Sequence, residues 1–343
     1  MIELLVSPTA RCDRGCSHCM YDSNVLGESI SPSVLSTLPR EFSRLGKGEK
    51  RFCVTGGGEP LLYPWTPKLI WEVMQDRRNW VDLVTSGCTD ENDSGNRSLQ
   101  LITDIFRSAR LNSYLSFNVY NKTAEARVRY TLPLLRKING LVTFKVAMSY
   151  EDRSPIEQLD GILLSMGYRP RLIEVRKPLS KRALRCLGEP EYLGELSDFS
   201  DQIYFRDNDF VDPSLEDGFC YYTQQLIRVR PQNLLIEGRA EKLAPTFEEL
   251  LKHTSIRRHC AYQRESRDEL LSINHTGAIY PCSMDMVCPD PELQLGVLGE
   301  TPLWKALALR KEKIAKARRR TLLSPIGISS NPCGYCCDDR TDA

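Results

Sequence analysis

Short runs of apolar and β-branched residues recur along the first two thirds of the chain, at Ile2–Val6, Arg51–Thr55, Val81–Thr85, Tyr114–Val119, Val142–Ala147, Leu172–Val175 and Gln202–Phe205. Between several of them the pattern changes to helical spacing, as at Leu69, Ile70, Val73 and Met74. Ser31-Pro32 and Thr66-Pro67 each read as an N-cap followed by proline in the first helical position, and Ser154-Pro155-Ile156-Glu157 adds a capping box. Strands alternating with helices predict an α/β fold: a parallel sheet with crossover helices, open or closed into a barrel. Such folds bind ligands at the carboxyl ends of their strands.

The texture changes after about residue 180, where charge is dense and Pro and Gly interrupt the periodicity. The segment from 256 onward combines cysteines, turn residues, a short strand at Leu295–Gly299 and a helix opened by Thr301-Pro302. The expected organisation is a barrel domain over 1–210, a connecting segment over 211–255 and a small C-terminal domain over 256–343.

Composition narrows the function. A formal charge of +1 gives no general attraction to nucleic acid or membrane surfaces. No apolar run reaches a membrane-spanning length, and no secretion signal is visible, so a cytoplasmic location is expected. In a reducing compartment, 13 cysteines speak for metal binding or thiol chemistry rather than a disulfide scaffold. Cys53, Cys88, Cys186 and Cys220 are scattered and read as small buried side chains.

The other cysteines are clustered. Cys12, Cys16 and Cys19 follow the first strand with the spacing C-x3-C-x2-C. Three thiolates on one tight loop can ligate three irons of a [4Fe-4S] cubane and leave the fourth iron open to a ligand. A zinc knot is the competing reading, but zinc sites favour four ligands in paired C-x2-C spacing. A glycine run, Thr55-Gly56-Gly57-Gly58-Glu59-Pro60, follows the second strand, where a missing Cβ lets backbone approach a ligand closely.

The cysteine loop resembles the signature of the radical SAM superfamily, and Gly57-Gly58-Glu59 resembles that family's second motif. The resemblance covers roughly residues 1–210 and implies a partial (β/α)6 TIM-like barrel with Cys12, Cys16 and Cys19 on the cluster. It implies that the open iron binds the amine and carboxylate of S-adenosylmethionine and that reduction releases a 5′-deoxyadenosyl radical. It further places His18 against the adenine, Gly57, Gly58 and Glu59 at the amino group, and Ser116 and Asn118 near the ribose. A flavodoxin- or ferredoxin-type electron donor is implied with it.

Near the C-terminus, Cys260, the G-x4-C step from Gly277 to Cys282, and Cys333-Gly334-Tyr335-Cys336 can gather four thiolates. On spacing alone a structural zinc site competes with an iron–sulfur cluster. The arrangement resembles the twitch domain, the short form of the SPASM extension of radical SAM enzymes. It implies a second [4Fe-4S] cluster held by Cys260, Cys282, Cys333 and Cys336. Cys288 and Cys337 are left over: each is inert, which is the favoured reading, replaces one of these ligands, or is a thiol able to donate a hydrogen atom. An auxiliary cluster that accepts an electron from a substrate radical makes the net reaction an oxidation. With the first cysteine at residue 12, no leader-binding domain is expected ahead of the barrel, which favours a small polar metabolite of a natural-product pathway over a peptide. Peptide modification and thiol-quenched epimerisation are the alternatives.

Overall fold

The protein is described from a computed structural model covering residues 2–16, 19, 21, 23–107, 111–117, 122–138, 142–147, 154–168, 173–176, 202–204, 269–281 and 291–322. Its strands are β1 (Ile2–Val6), β2 (Lys50–Val54), β3 (Asn79–Thr85), β4 (Leu111–Phe117), β5 (Val142–Ala147), β6 (Ile173–Arg176), β7 (Gln202–Tyr204), β8 (Glu269–Ile273), β9 (Ala278–Tyr280) and β10 (Gly296–Val297). The helices are α1 (Pro32–Leu35), α2 (Leu38–Arg44), α3 (Thr66–Met74), α4 (Asn96–Ile105), α5 (Ala124–Leu135), α6 (Ser154–Ser165) and α7 (Leu303–Leu322). Among the described residues no helix is long and apolar enough to cross a membrane.

The chain divides into two compact units, Met1–Val142 with Ser266–Ala315, and Thr143–Glu265 with Lys316–Ala343. In the second, β5 and β6 pair in parallel and β7 runs antiparallel to β6. In the first, β1 to β4 form a parallel run in sequence order. Beyond β1 the sheet continues into β8, which is also parallel to β1, and then turns back through the antiparallel strands β9 and β10. The hairpin that carries Gly277 therefore lies alongside the first strand of the chain.

One face of this sheet is apolar. Leu4, Val6, Phe52, Val54, Val81 and Leu83 are buried on it, and Phe52 meets Phe42 of α2 edge-on at 5.3 Å between ring centres. The opposite face is charged: Arg51 bridges Glu3 on β1 (3.1 Å) and Asp82 on β3. Two carboxylates with little exposure, joined by one guanidinium, satisfy the rule that buried charge must be paired.

The local signals bear out in part. Ser31 caps α1, its hydroxyl accepting the Val34 N–H at 3.3 Å. Thr66 does not cap α3; it lies inside the helix, and its hydroxyl donates to the Pro60 carbonyl at 2.6 Å. β4 starts at Leu111 rather than Tyr114, because Leu111 pairs with Val81 and continues the buried alternation Leu111, Ser113, Leu115, Phe117. Its interspersed polar residues hide that alternation in the sequence. The N-terminus of α7 is capped from a distance, Leu303 N–H donating to the Glu41 carboxylate of α2 at 2.8 Å.

Replacing Arg51 by Met strips the cation from both carboxylates of the ladder. The expected loss is about 3–5 kcal/mol of unfolding free energy. Urea unfolding of R51M against the wild type measures it, and a loss below about 1 kcal/mol would show the ladder to be screened by solvent.

Candidate functional site

At the carboxyl end of the sheet, three successive strands of the first unit send loops toward one another. The loop after β1 carries Cys12, Cys16 and Cys19, all free thiols and all half-buried. It is not a loose excursion. A short ribbon pins it to residues 24–30: Ala10 N–H donates to Glu28, Cys12 N–H to Asn24, and Ile30 N–H to Pro8. The Cys19 N–H closes a turn on the Cys16 carbonyl at 3.2 Å.

The glycine run after β2 is built against this loop. The Glu59 N–H donates to the Arg11 carbonyl (2.9 Å) and the Gly57 N–H to the Ser7 hydroxyl (2.8 Å). Gly56 holds φ at +120°, and a Cβ there would lie 2.5 Å from that of Ser7. A Cβ on Gly58 would stand 2.5 Å from the carbonyl oxygens of both Thr9 and Arg11. These are backbone atoms with no rotamer to yield, so Gly58 is required for the contact itself. Among the described residues, none donates a hydrogen bond to the carbonyls of Gly56, Gly57 or Gly58.

Glu59 is buried and engaged. Its carboxylate accepts from Leu61 N–H (3.1 Å), from the Thr85 hydroxyl (2.6 Å) and from Ser86 N–H (2.7 Å), tying the glycine loop to the end of β3. Arg14, inside the cysteine motif and 4% exposed, reaches the same place. Its guanidinium grips Asp93 in two hydrogen bonds of 2.9 and 3.2 Å, and it lies 3.1 Å from Asp13 and 4.0 Å from Glu59. Asp93 also accepts from the N–H groups of Thr89 and Gly95. Burial disfavours ionised Asp93, yet Arg14 and these N–H groups overcome it and hold its pKa at about 2. Arg14 answers burial in the same way, its pKa raised by the carboxylates around it.

Arg127, in the first turn of α5, has no such answer. It is 7% exposed, and its guanidinium makes no hydrogen bond or ion pair with any described residue. One helical turn on, Thr131 accepts the Cys88 N–H (2.7 Å), which sets this face of α5 against the turn that follows β3. Burial, and then the charge of Arg14, push the Arg127 pKa down. The N-terminal end of a helix dipole adds a third unfavourable field for a cation. Glu59, Asp93 and Asp13 offset this only in part, so a buried arginine with no hydrogen-bond partner among the described residues could seat an anionic group beside this cluster of loops.

Burial pushes the Cys12 thiol up to about 12, with Glu59 and Cys16 adding to the rise. Loading such a thiol with metal displaces a proton. Among the described residues, no three cysteine, histidine or acidic side chains converge closely enough for a single metal ion. A cubane asks for less convergence, since each thiolate binds a different iron. Three free thiols on one pinned loop, glycine carbonyls that no described residue engages and a guanidinium without a described hydrogen-bond partner fit a cluster carrying a zwitterionic ligand better than a lone ion.

Of the residues singled out by sequence, Cys12, Cys16, Cys19, Gly57, Gly58 and Glu59 are brought together. Ser116 lies half-buried near the end of β4, directly after Leu115, which pairs with Thr85 of β3. His18, Asn118, Cys260, Cys282, Cys288, Cys333, Cys336 and Cys337 lie outside the described residues. Cys53 and Cys88 are buried, as scattered cysteines should be. Arg14, Asp93 and Arg127 escaped sequence reading; only the placement of an arginine inside C-x3-C offered a signal.

Neither a protein-family profile nor a curated protein matches the chain. Solved structures do. The chain is similar to native anSMEcpe with bound AdoMet and Kp18Cys peptide (TM-score 0.54, 13% identity, 98% of this chain and 88% of that one). It is also similar to Streptococcus suis SuiB bound to S-adenosylmethionine (TM-score 0.53, 12% identity, 95% and 71%). Both hold S-adenosylmethionine, and at this identity the likeness shows a shared α/β fold.

Gly58→Ala should displace the cysteine loop and cut iron retained after reconstitution at least about tenfold, with little change in helix content by circular dichroism. Iron content equal to wild type would show that the loop can move aside. Asp93→Asn tests the clamp by pH. Because the folded pKa of Asp93 is depressed from the ordinary 3.8 to about 2, its stabilisation is complete above the unfolded value and vanishes as pH falls through the folded one. The variant should lose up to about 2 kcal/mol of the wild type's acid-sensitive stability between roughly pH 5 and pH 2, measured by urea unfolding.

Proposed function

We propose that this chain is a radical SAM enzyme. The observation that carries the reading is the set of three free, half-buried thiols on a loop at the carboxyl edge of a parallel sheet, locked by backbone contact to a glycine run. When bound, the [4Fe-4S] cluster supplies one electron that splits S-adenosylmethionine into methionine and a 5′-deoxyadenosyl radical, which takes hydrogen from a substrate carbon. Cys12, Cys16 and Cys19 would each hold one iron and leave the fourth for the cofactor. The carbonyls of Gly56, Gly57 and Gly58, which no described residue engages, suit its ammonium. Arg127 suits its carboxylate, and that pairing would relieve the unanswered charge on α5. His18, Ser116 and Asn118 remain assigned to adenine and ribose by family resemblance.

By the same resemblance, Cys260, Cys282, Cys333 and Cys336 hold an auxiliary [4Fe-4S] cluster, a flavodoxin- or ferredoxin-type protein supplies electrons, and a small polar metabolite is oxidised. A peptide substrate is the second reading, favoured by the peptide held in one of the similar structures.

Anaerobically reconstituted protein with dithionite should release 5′-deoxyadenosine from S-adenosylmethionine, and Cys12→Ala should not; release by neither overturns the reading. About eight irons per chain are expected for two cubanes, whereas about four with one zinc would remove the auxiliary cluster alone. Arg127→Met should raise the Kd for S-adenosylmethionine at least about tenfold, equivalent to about 1.4 kcal/mol. In deuterated solvent an oxidised product is two hydrogen atoms lighter than its substrate and takes up no deuterium, whereas an epimerised one carries one solvent-derived deuterium.

A further inference from the structure

We propose that Arg14 is a positioning residue, which sets the cysteine loop for cofactor binding by bridging the loops that follow β1, β2 and β3. This rests on the reading that Cys12, Cys16 and Cys19 hold the cluster. Arg14 stands between two of those cysteines, yet it points away from solvent and is almost wholly enclosed. Its two hydrogen bonds end on Asp93, and Asp93 cannot shift, because Thr89 and Gly95 hold it with their main-chain N–H groups and Thr89 adds its hydroxyl at 3.2 Å. Asp13 makes a second tie to the same loop, accepting from the Ser94 hydroxyl at 2.6 Å. On the other side Arg14 faces Glu59, which is itself fastened to Thr85 and Ser86.

Loop position in this region is therefore set by one rigid planar cation with fixed anchors. Guanidinium is the group for this task. Its fork fits a carboxylate in two parallel bonds, so it fixes direction as well as distance, whereas a lysine ammonium would act as a point charge. A lone turn of glycine and aspartate around Cys12 and Cys16 would otherwise have many conformations. Holding it in one removes an entropic cost from every cofactor-binding event.

The test separates positioning from mere folding. The full chain, reconstituted anaerobically, is compared as wild type, Arg14→Lys, Arg14→Gln and the charge-neutral pair Arg14→Gln with Asp93→Asn. Three quantities are read: the melting temperature of the iron-free chain, the Kd for S-adenosylmethionine, and the change that S-adenosylmethionine makes in the electron paramagnetic resonance of the reduced protein. Only a cluster with an open iron responds to the cofactor, so the last readout isolates the first cluster. Both Arg14→Lys and the pair should melt close to wild type yet bind S-adenosylmethionine at least about tenfold more weakly, with a reduced or heterogeneous spectral change. Should Arg14→Gln alone fail to fold, because it leaves Asp93 buried and unpaired, the neutral pair still decides. Wild-type Kd and spectrum in the neutral pair would overturn the proposal. A wild-type protein whose spectrum ignores S-adenosylmethionine would instead overturn the cluster reading beneath it.

Discussion

The parallel pairing of β1 with β2 is the constraint from which the site follows. Val6 lies opposite Val54 at the end of that ladder, so Ser7 and Thr55 leave the sheet together and in the same direction. Two chains departing side by side at strand spacing will collide unless one gives up its side chains. The glycine run is that concession. Gly56 takes a backbone conformation unsuited to other residues beside Ser7, and Gly58 accepts two carbonyl oxygens where a methyl group would be. Main-chain atoms thus decide where the cysteine loop starts before any ligand arrives.

Charge then completes what backbone contact begins. The cysteine loop brings Arg14, the glycine loop brings Glu59, and the loop after β3 brings Asp93. None of these has solvent to fall back on, so each is stable only while the others stay in place. Against this balanced set, Arg127 stands out. It is enclosed to a similar degree and lies within the field of the same charges, but no described residue makes a hydrogen bond or ion pair with it. An imbalance of this kind is costly to keep for structure alone, and a bound anion would relieve it.

Two carboxyl-end features widen the picture beyond the first three loops. β8 lies in parallel beside β1, with the Ser7 N–H donating to Ile273, so the turn at Asn274–Gly277 follows a strand that ends on the same edge as the cysteine loop. The G-x4-C step, read from sequence as belonging to a later module, starts from this turn. Asn274 organises it, its side-chain oxygen accepting from Thr276 and Ala278 N–H groups.

How much of this was legible in advance depends on the range of the interaction. Most strands, the Ser31 cap and the C-x3-C-x2-C loop could be read because their causes are local: alternation, a hydroxyl three residues from its N–H, thiols on one short turn. The close backbone approach at the glycine run was also visible, since missing side chains are a property of sequence. The sequence by itself therefore determined the α/β alternation and the placing of three thiols on the loop after the first strand. The tertiary structure alone decided that Thr66 turns inward to Pro60 and that Glu41 caps a helix 262 residues further along. It alone decided that Arg14 finds Asp93 across 79 residues and that Arg127 finds no hydrogen-bond partner among the described residues. Those outcomes depend on which loops the parallel register brings face to face, and no pattern within a single segment carries that information.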